Sequence, residues 1–532
     1  MKTLFAIYIV LLGLIMASCS NFDEMNLNPN QPGVTTGDPS QLFSKMTKES
    51  TLTAYLHQRI HNLGVDAFSQ YYSAPAFSTE RGTMNDVWAQ DYWKAYYGWL
   101  NSANTIIRVT KNDPTKVNTY QMARIWKAWM TQRTTDLFGD MPYFEAADGT
   151  GINPKYDTQE NIYLDILKEL KEAAAGLDLS KPNMGTQDFI YGGDVDLWRG
   201  FANSLRLRVA MRISNVKPTI AKTNAEDAVA DGVLTLNAEM ATMQNWSAPW
   251  GNGYSTKYYF DWGPGNGVAL STSMYNMLVG LGGIAFPSSD FFGPDITYRD
   301  VPSVVDPRGP HFFGISDNNG PTLTDKEHYS GRWTSIDVGL TEDQRAEQVN
   351  KPENNSRVGK EMQVITRPFI IMPVSEVFFL RAEGALKGWN MNGTAEELYE
   401  DGIKRSMEQW AISPIVYGDY LESEAMNING TTVHFSFDSG TNDSPLDKVM
   451  TQKYIAGFPD NGWEAWADYR RIQKPVLKTP GTLDEGTGLK PGEVVQRLKY
   501  PQLEQNVNKD FYDEAVKHQG ADLVSTKLWW VE

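Results

Sequence analysis

Cysteine is almost absent: Cys19 is the single one in 532 residues. No intrachain disulfide can form, so the fold has to be held by its core. Long apolar runs are missing too. Leu4 to Met16, broken only by Tyr8 and Gly13, falls short of the roughly 20 apolar residues that span a bilayer, and no longer run follows. Basic blocks are lacking, and the formal net charge is −17. Such a surface repels nucleic acid, and no Lys/Arg cluster with interleaved aromatics offsets it. A Gly-x-Ser-x-Gly elbow and a nucleophilic cysteine are absent. Gly263-Pro264-Gly265-Asn266-Gly267 does not have dinucleotide-loop spacing.

What is present begins with the leader. Lys2, the apolar run, Ala17 and Ser18 make a secretory signal, and cleavage before Cys19 followed by acylation makes a lipoprotein. The alternative is an ordinary leader with a chance cysteine. A lone thiol in an exported chain is a liability, which favours lipidation at Cys19. Residues 20–38, with paired Pro and Asn, read as an extended polar tether. Hydrophobic residues at 41% and charged residues at 21% are those of a globular protein.

Helical spacing dominates from Gln41. Met122, Ile125, Trp126, Trp129, Met130 and Leu137 recur at three- and four-residue intervals, and Gly139 is a stop. Asp157-Thr158-Gln159-Glu160 reads as a capping box for a helix ending near Gly176. Asp196 is read as the cap of the next helix, whose Arg199, Arg206, Arg208 and Arg212 are placed on a polar face. Ser375 is read as the cap of a helix running to Lys387, and Thr394 to Glu397 as a second capping box. These two helices match a tetratricopeptide unit in length, with a generic helical hairpin as the alternative. Ala382, Ala385 and Gly402 suit close helix contact. From about Lys217 to Phe369 the chain is instead dense in Gly, Pro, Ser and Asn, and long irregular loops rich in aromatics are functional more often than disordered.

Catalytic and metal patterns are thin. His57 and His61 are four apart, as on a zinc helix, but Gln58 stands where a catalytic pattern needs Glu; they read as helix-surface histidines. Asp194 with Asp196, and Asp136 with Asp140, are close carboxylate pairs of the kind a glycosidase needs, yet they fall at helix boundaries where Asp caps or closes a turn. The positive signal is the loop aromatics. Tyr71, Tyr72 and Phe77 precede Arg81; Trp246, Trp250, Tyr254, Tyr258 and Trp262 follow, and Trp333 sits beside Arg332. Sugar rings present C–H faces that lie flat on indole or phenol, while Asn, Asp and Arg meet their hydroxyls. A loop aromatic can equally plug its loop onto the core.

Several segments, in order, resemble the SusD/RagB family of Bacteroidetes outer-membrane lipoproteins. They are Asn28-Pro29-Asn30-Gln31-Pro32 behind Cys19; Asp136-Leu137-Phe138-Gly139-Asp140; Trp198 through Phe201 to Arg208; Pro373 through Glu376 to Glu383; Gln452-Lys453-Tyr454 with Glu464 to Arg471; and Arg497 to Pro501. The acidic residues Asp23 and Glu24 resemble that phylum's surface-export signal. The resemblance implies a mostly α fold: tetratricopeptide-like helical hairpins supporting a loop-rich binding part. The expected organisation is a signal peptide at 1–18, a lipid-anchored tether at 19–38 and one domain at 39–532. In that domain a framework of about 39–216 and 370–532 carries a binding insertion of about 217–369.

It further implies a non-enzymatic lipoprotein on the outer face of the cell, needing no cofactor. Such a protein binds an oligosaccharide and passes it to a TonB-dependent SusC-like transporter. A peptide-binding relative and a surface glycosidase are the alternatives. The matched motifs are read as framework: Trp466 and Arg470, four apart, share a helix face suited to packing.

Overall fold

The computed structural model describes residues 38–52, 54–147, 153–244, 267–293, 296–316, 326–364 and 366–532. Helices α1 (Pro39–Leu52), α2 (Asp86–Thr110), α3 (Val117–Phe138), α4 (Gln159–Gly176), α5 (Val195–Arg212) and α6 (Pro218–Ala230) form the first half. From α2 onward each packs on the next, and α1 lies across α2 and α3. The framework therefore runs to Ala230, past the expected boundary near 216, because Pro218 starts a helix that buries Ala221, Ala225 and Ala228. In the second half, α7 (Val374–Leu386) and α8 (Ala395–Gln409) pack as a pair. Next, α9 (Pro445–Gly457) covers both, α10 (Gly462–Ile472) follows it, and α11 (Lys509–Gln519) lies near the C-terminus. Contacts of α7 and α10 with α5 join the halves. The architecture is the expected mostly helical one.

The periodic residues of α3 are all buried, as their spacing predicts. Caps differ in detail. Thr158, not Asp157, caps α4 by accepting from Asn161 N, while Asp157 Oδ2 accepts from Tyr143 N and Phe144 N. Asp194, not Asp196, caps α5, taking the amides of Asp196 and Leu197 at 3.0 Å each. Pro373, with φ −73°, leads directly into α7, so Ser375 lies inside the first turn instead of capping it. The Thr394–Glu397 box forms as read. A Cβ on Gly402 would stand 2.7 Å from the Phe379 ring, so the α7–α8 contact requires the missing side chain.

The arginines of α5 correct their expected placement. Arg206, Arg208 and Arg212 are buried. Arg208 forks onto Glu376 of α7 with two 2.7 Å bonds. Arg212 reaches Asp136 of α3 at 2.6 Å and also Glu464 of α10. Arg471 forks onto Glu383, and Lys453 holds Asp468 at 2.7 Å. Arg470 lies 3.5 Å over the Trp466 ring, as their shared face predicts. The partners of Arg208 and Arg212 are buried acids from distant parts of the chain, whereas Arg206 pairs with Asp227 and Asp231 nearby. The histidine reading is corrected as well: His57–Val65 forms a π-helix, and both rings are buried, 4.6 Å apart, edge-on to Phe369.

Two short antiparallel pairs pin the loop-rich region to this scaffold. Strand β1 (Tyr72–Ser73) pairs with β3 (Ala269–Leu270), and β2 (Ala241–Met243) pairs with β4 (Phe369–Met372).

Candidate ligand-binding face

Strand β1 runs straight into the loop 74–84, which shares a wall with 333–340. Buried Glu80 ties them: one carboxylate oxygen accepts from Ala74 N and the other from Gly339 N at 3.2 Å. Ser73 Oγ donates to Asp337 O, and Arg345 reaches Pro75 O. Burial pushes the Glu80 carboxyl up to about 7, against the opposing pull of the two amides, the Ser73 hydroxyl and Arg81.

Three of the expected ligand contacts are corrected by their burial. Tyr71 (0% exposed) donates to Tyr454 O at 3.0 Å and packs on Phe458. Tyr72 (1%) lies between Phe313 and Phe458. Trp333 (0%) donates its indole N–H to Phe313 O at 2.9 Å. In each case the ring fastens its segment to the core, leaving no face for a ligand. Phe77 stays partly exposed against Trp88, and Arg81 is held by Asp484 at 2.7 Å. Trp246, Trp250, Tyr254, Tyr258, Trp262 and Cys19 lie outside the described residues.

Around buried Trp333 the structure assembles an aromatic surface that sequence reasoning missed. Tyr275 and Phe286 pack on the indole at 5.6 and 5.7 Å, and Tyr298 packs on Phe286 at 5.6 Å. These three rings are half-buried, and Phe291, next to His311, is 44% exposed. Arg332 pairs with Asp300 at 3.1 Å at this edge. The available signal was the crowding of Phe286, Phe291 and Phe292 among Pro, Ser and Gly. Half-exposed rings beside an ion pair can stack on an apolar ligand face and hydrogen-bond its polar rim.

The loop 74–84 also borders a cleft of about 570 Å³, within the range of small-ligand pockets. Its far side is the segment 485–499. The close carboxylate pairs do structural work, in line with their reading at helix boundaries. Asp194 is a cap, Asp136 holds Arg212, and Asp140 accepts from Gln159 N and pairs with His518. No cluster of metal-ligating side chains occurs among the described residues, nor a helix long and apolar enough to cross a membrane.

A helical scaffold with motif charges inside and an aromatic, loop-built face defines a class of binding proteins on a fixed frame. The chain belongs to the SusD-like family described as starch-binding associating with outer membrane, whose pattern matches residues 29–501. A SusD homolog from Parabacteroides distasonis is 28% identical, over 93% of this chain and 98% of its own, with TM-score 0.84. A chitin-binding SusD homolog from Flavobacterium johnsoniae is 27% identical over 92% and 98%, with TM-score 0.75. A further chitin-binding protein is 26% identical over 93% and 100%, also at 0.75. No protein of curated function matches the chain.

Proposed function

We propose that this protein is a cell-surface lipoprotein, anchored through lipid on Cys19, that binds an oligosaccharide and delivers it to a SusC-like TonB-dependent transporter without cleaving it. Its family is associated with the outer membrane, and two relatives of the same fold bind chitin. The observation that carries the reading is the aromatic surface of Tyr275, Phe286, Phe291 and Tyr298, which offers ring faces where a sugar can stack. Trp246, Trp250, Tyr254, Tyr258 and Trp262 are assigned to the same ligand: their segment joins β2 to β3, and β1, the partner of β3, leads into the loop 74–84 of the face. Phe77 and Arg81 are assigned to its border. Calorimetry of the mature lipoprotein with chitin and glucan oligosaccharides tests this. Tyr275→Ala, Trp250→Ala and Trp262→Ala should each weaken binding roughly tenfold, as removal of a stacking ring does elsewhere. Unchanged affinity in all three refutes the site, and released reducing ends refute binding without cleavage. Co-purification with the outer-membrane transporter checks the partner.

A further inference from the structure

The cleft beside the loop 74–84 has the chemistry and the rigidity of a built site. Its floor is apolar and buried: Met84, Leu498 and Val524. Its rim is polar and exposed, with Thr83, Asn85 and Asp86 on one side and Glu485 and Lys499 on the other. The two sides are locked together. Arg81 Nε donates to Asp484 Oδ1 at 2.7 Å, and Asp484 N returns a bond to Arg81 O at 2.9 Å. Ser78 Oγ donates to Thr83 O at 3.0 Å, and Thr83 N donates to Ser78 O at 3.2 Å, closing the loop on itself. Thr487 Oγ1 donates to Asp484 O at 2.9 Å. Gly82 has φ +93°, a left-handed conformation that favours glycine, where it lies against Leu489 and Thr487 of the opposite side. Below, Leu498 N donates to Leu137 O and Gln496 N to Val524 O, both at 2.7 Å, fixing the floor to the scaffold. At the helix side Asn85 caps α2 through Val87 N and Trp88 N, which sets the direction of that rim.

A cavity held open by bonds at its roots is preorganised, so a ligand entering it orders little protein. An apolar floor under a rim that both donates and accepts suits a ring with C–H faces and hydroxyl edges. The rim carries two carboxylates against one ammonium, on a protein of net charge −17, which disfavours an anionic occupant. The geometry points to this cleft as a second binding site, for an uncharged sugar unit of a glycan. The assignment rests on the carbohydrate reading above and adds to it a subsite apart from the aromatic surface, together with selection against acidic sugars.

Thr83→Trp fills the mouth from an exposed position, and Val87→Trp does the same from the next turn. The probes are hexasaccharides of N-acetylglucosamine, of glucose and of galacturonate, titrated into the full mature lipoprotein. The wild type should prefer a neutral hexasaccharide. Either tryptophan variant should bind it at least roughly tenfold more weakly with an unaltered melting temperature, since one sugar-sized subsite is lost. The double variant Asp86→Asn with Glu485→Gln should narrow the preference for neutral over galacturonate chains by a similar factor. If the wild type binds a neutral hexasaccharide and both folded tryptophan variants bind it equally well, the cleft is overturned and the carbohydrate reading stands. If the wild type binds none of the three, the carbohydrate reading falls and the cleft with it.

Discussion

Glu80 makes the candidate face sensitive to pH in a direction that can be worked out. Its carboxyl is buried and bridges the amides of Ala74 and Gly339, and burial raises it from 4.5 to about 7. In an opened wall the same carboxyl ionises near its ordinary value. Between pH 4.5 and 7 the closed wall therefore holds a proton that the open wall has lost. The stability Glu80 contributes is complete below pH 4.5 and is lost as pH rises through 7. At 1.36 kcal/mol for each tenfold change in proton affinity, the loss amounts to about 3 kcal/mol. Glu80→Gln keeps the shape and one acceptor but turns an N–H toward Gly339 N, which costs about 1 kcal/mol. The variant should be slightly looser than the wild type at pH 5 and tighter at pH 8. Hydrogen–deuterium exchange of peptides covering 72–84 and 333–345, corrected for intrinsic rates, reads local opening directly. Wild-type protection should fall by roughly two orders of magnitude more than the variant's across that range. Parallel profiles would refute the argument, because every other titrating group is common to both chains.

Two further outcomes are expected. Arg208→Met leaves Glu376 buried without the cation that holds it by two 2.7 Å bonds, and should destabilise the protein by about 3–5 kcal/mol, read as a fall in melting temperature. His57 lies well below its ordinary value through burial first, then through His61, Arg133 and Arg367. The folded state thus resists a proton that the unfolded state takes up near 6.5, so stability falls as pH drops below that point. His57→Gln removes this proton uptake while retaining a donor for the Thr51 carbonyl, and thermal melts from pH 7 to 5 should lose less stability than the wild type's.

Periodic helices were legible because burial repeats with the helix turn. The spacing in α3 and the Thr394–Glu397 box survive intact in the fold. The arginines of α5 were not legible. The partners of Arg208 and Arg212, namely Asp136, Glu376 and Glu464, lie 76 to 252 residues away in sequence, and an isolated helix with four arginines reads as solvated. His57 and His61 escaped because a π-helix changes which positions share a face. In loops there is no period from which to tell inward from outward. Tyr71, Tyr72 and Trp333 became anchors, while Tyr275, with nothing in the letters to distinguish it, and Phe291, marked only by crowding with Phe286 and Phe292, kept exposed faces.

The recognisable motifs lie mostly in the frame, apart from the proposed aromatic surface. Asp136, Arg208, Glu376, Glu383, Glu464 and Arg471 are motif residues, and all are buried in interlocking ion pairs between helices. Such pairs tolerate single substitutions badly, because each leaves an uncompensated charge. The aromatic surface carries no motif, the cleft rim carries only Lys499 of one, and neither touches this network among the bonds described. Strands β1 and β4 fix the entry points of the loop-rich region to the rigid half, so loop residues can change without unsettling the charges beneath. A frame that punishes change, carrying a face that permits it, suits a protein whose ligand differs from one relative to the next. It also explains why the family could be read from the letters while the ligand contacts could not.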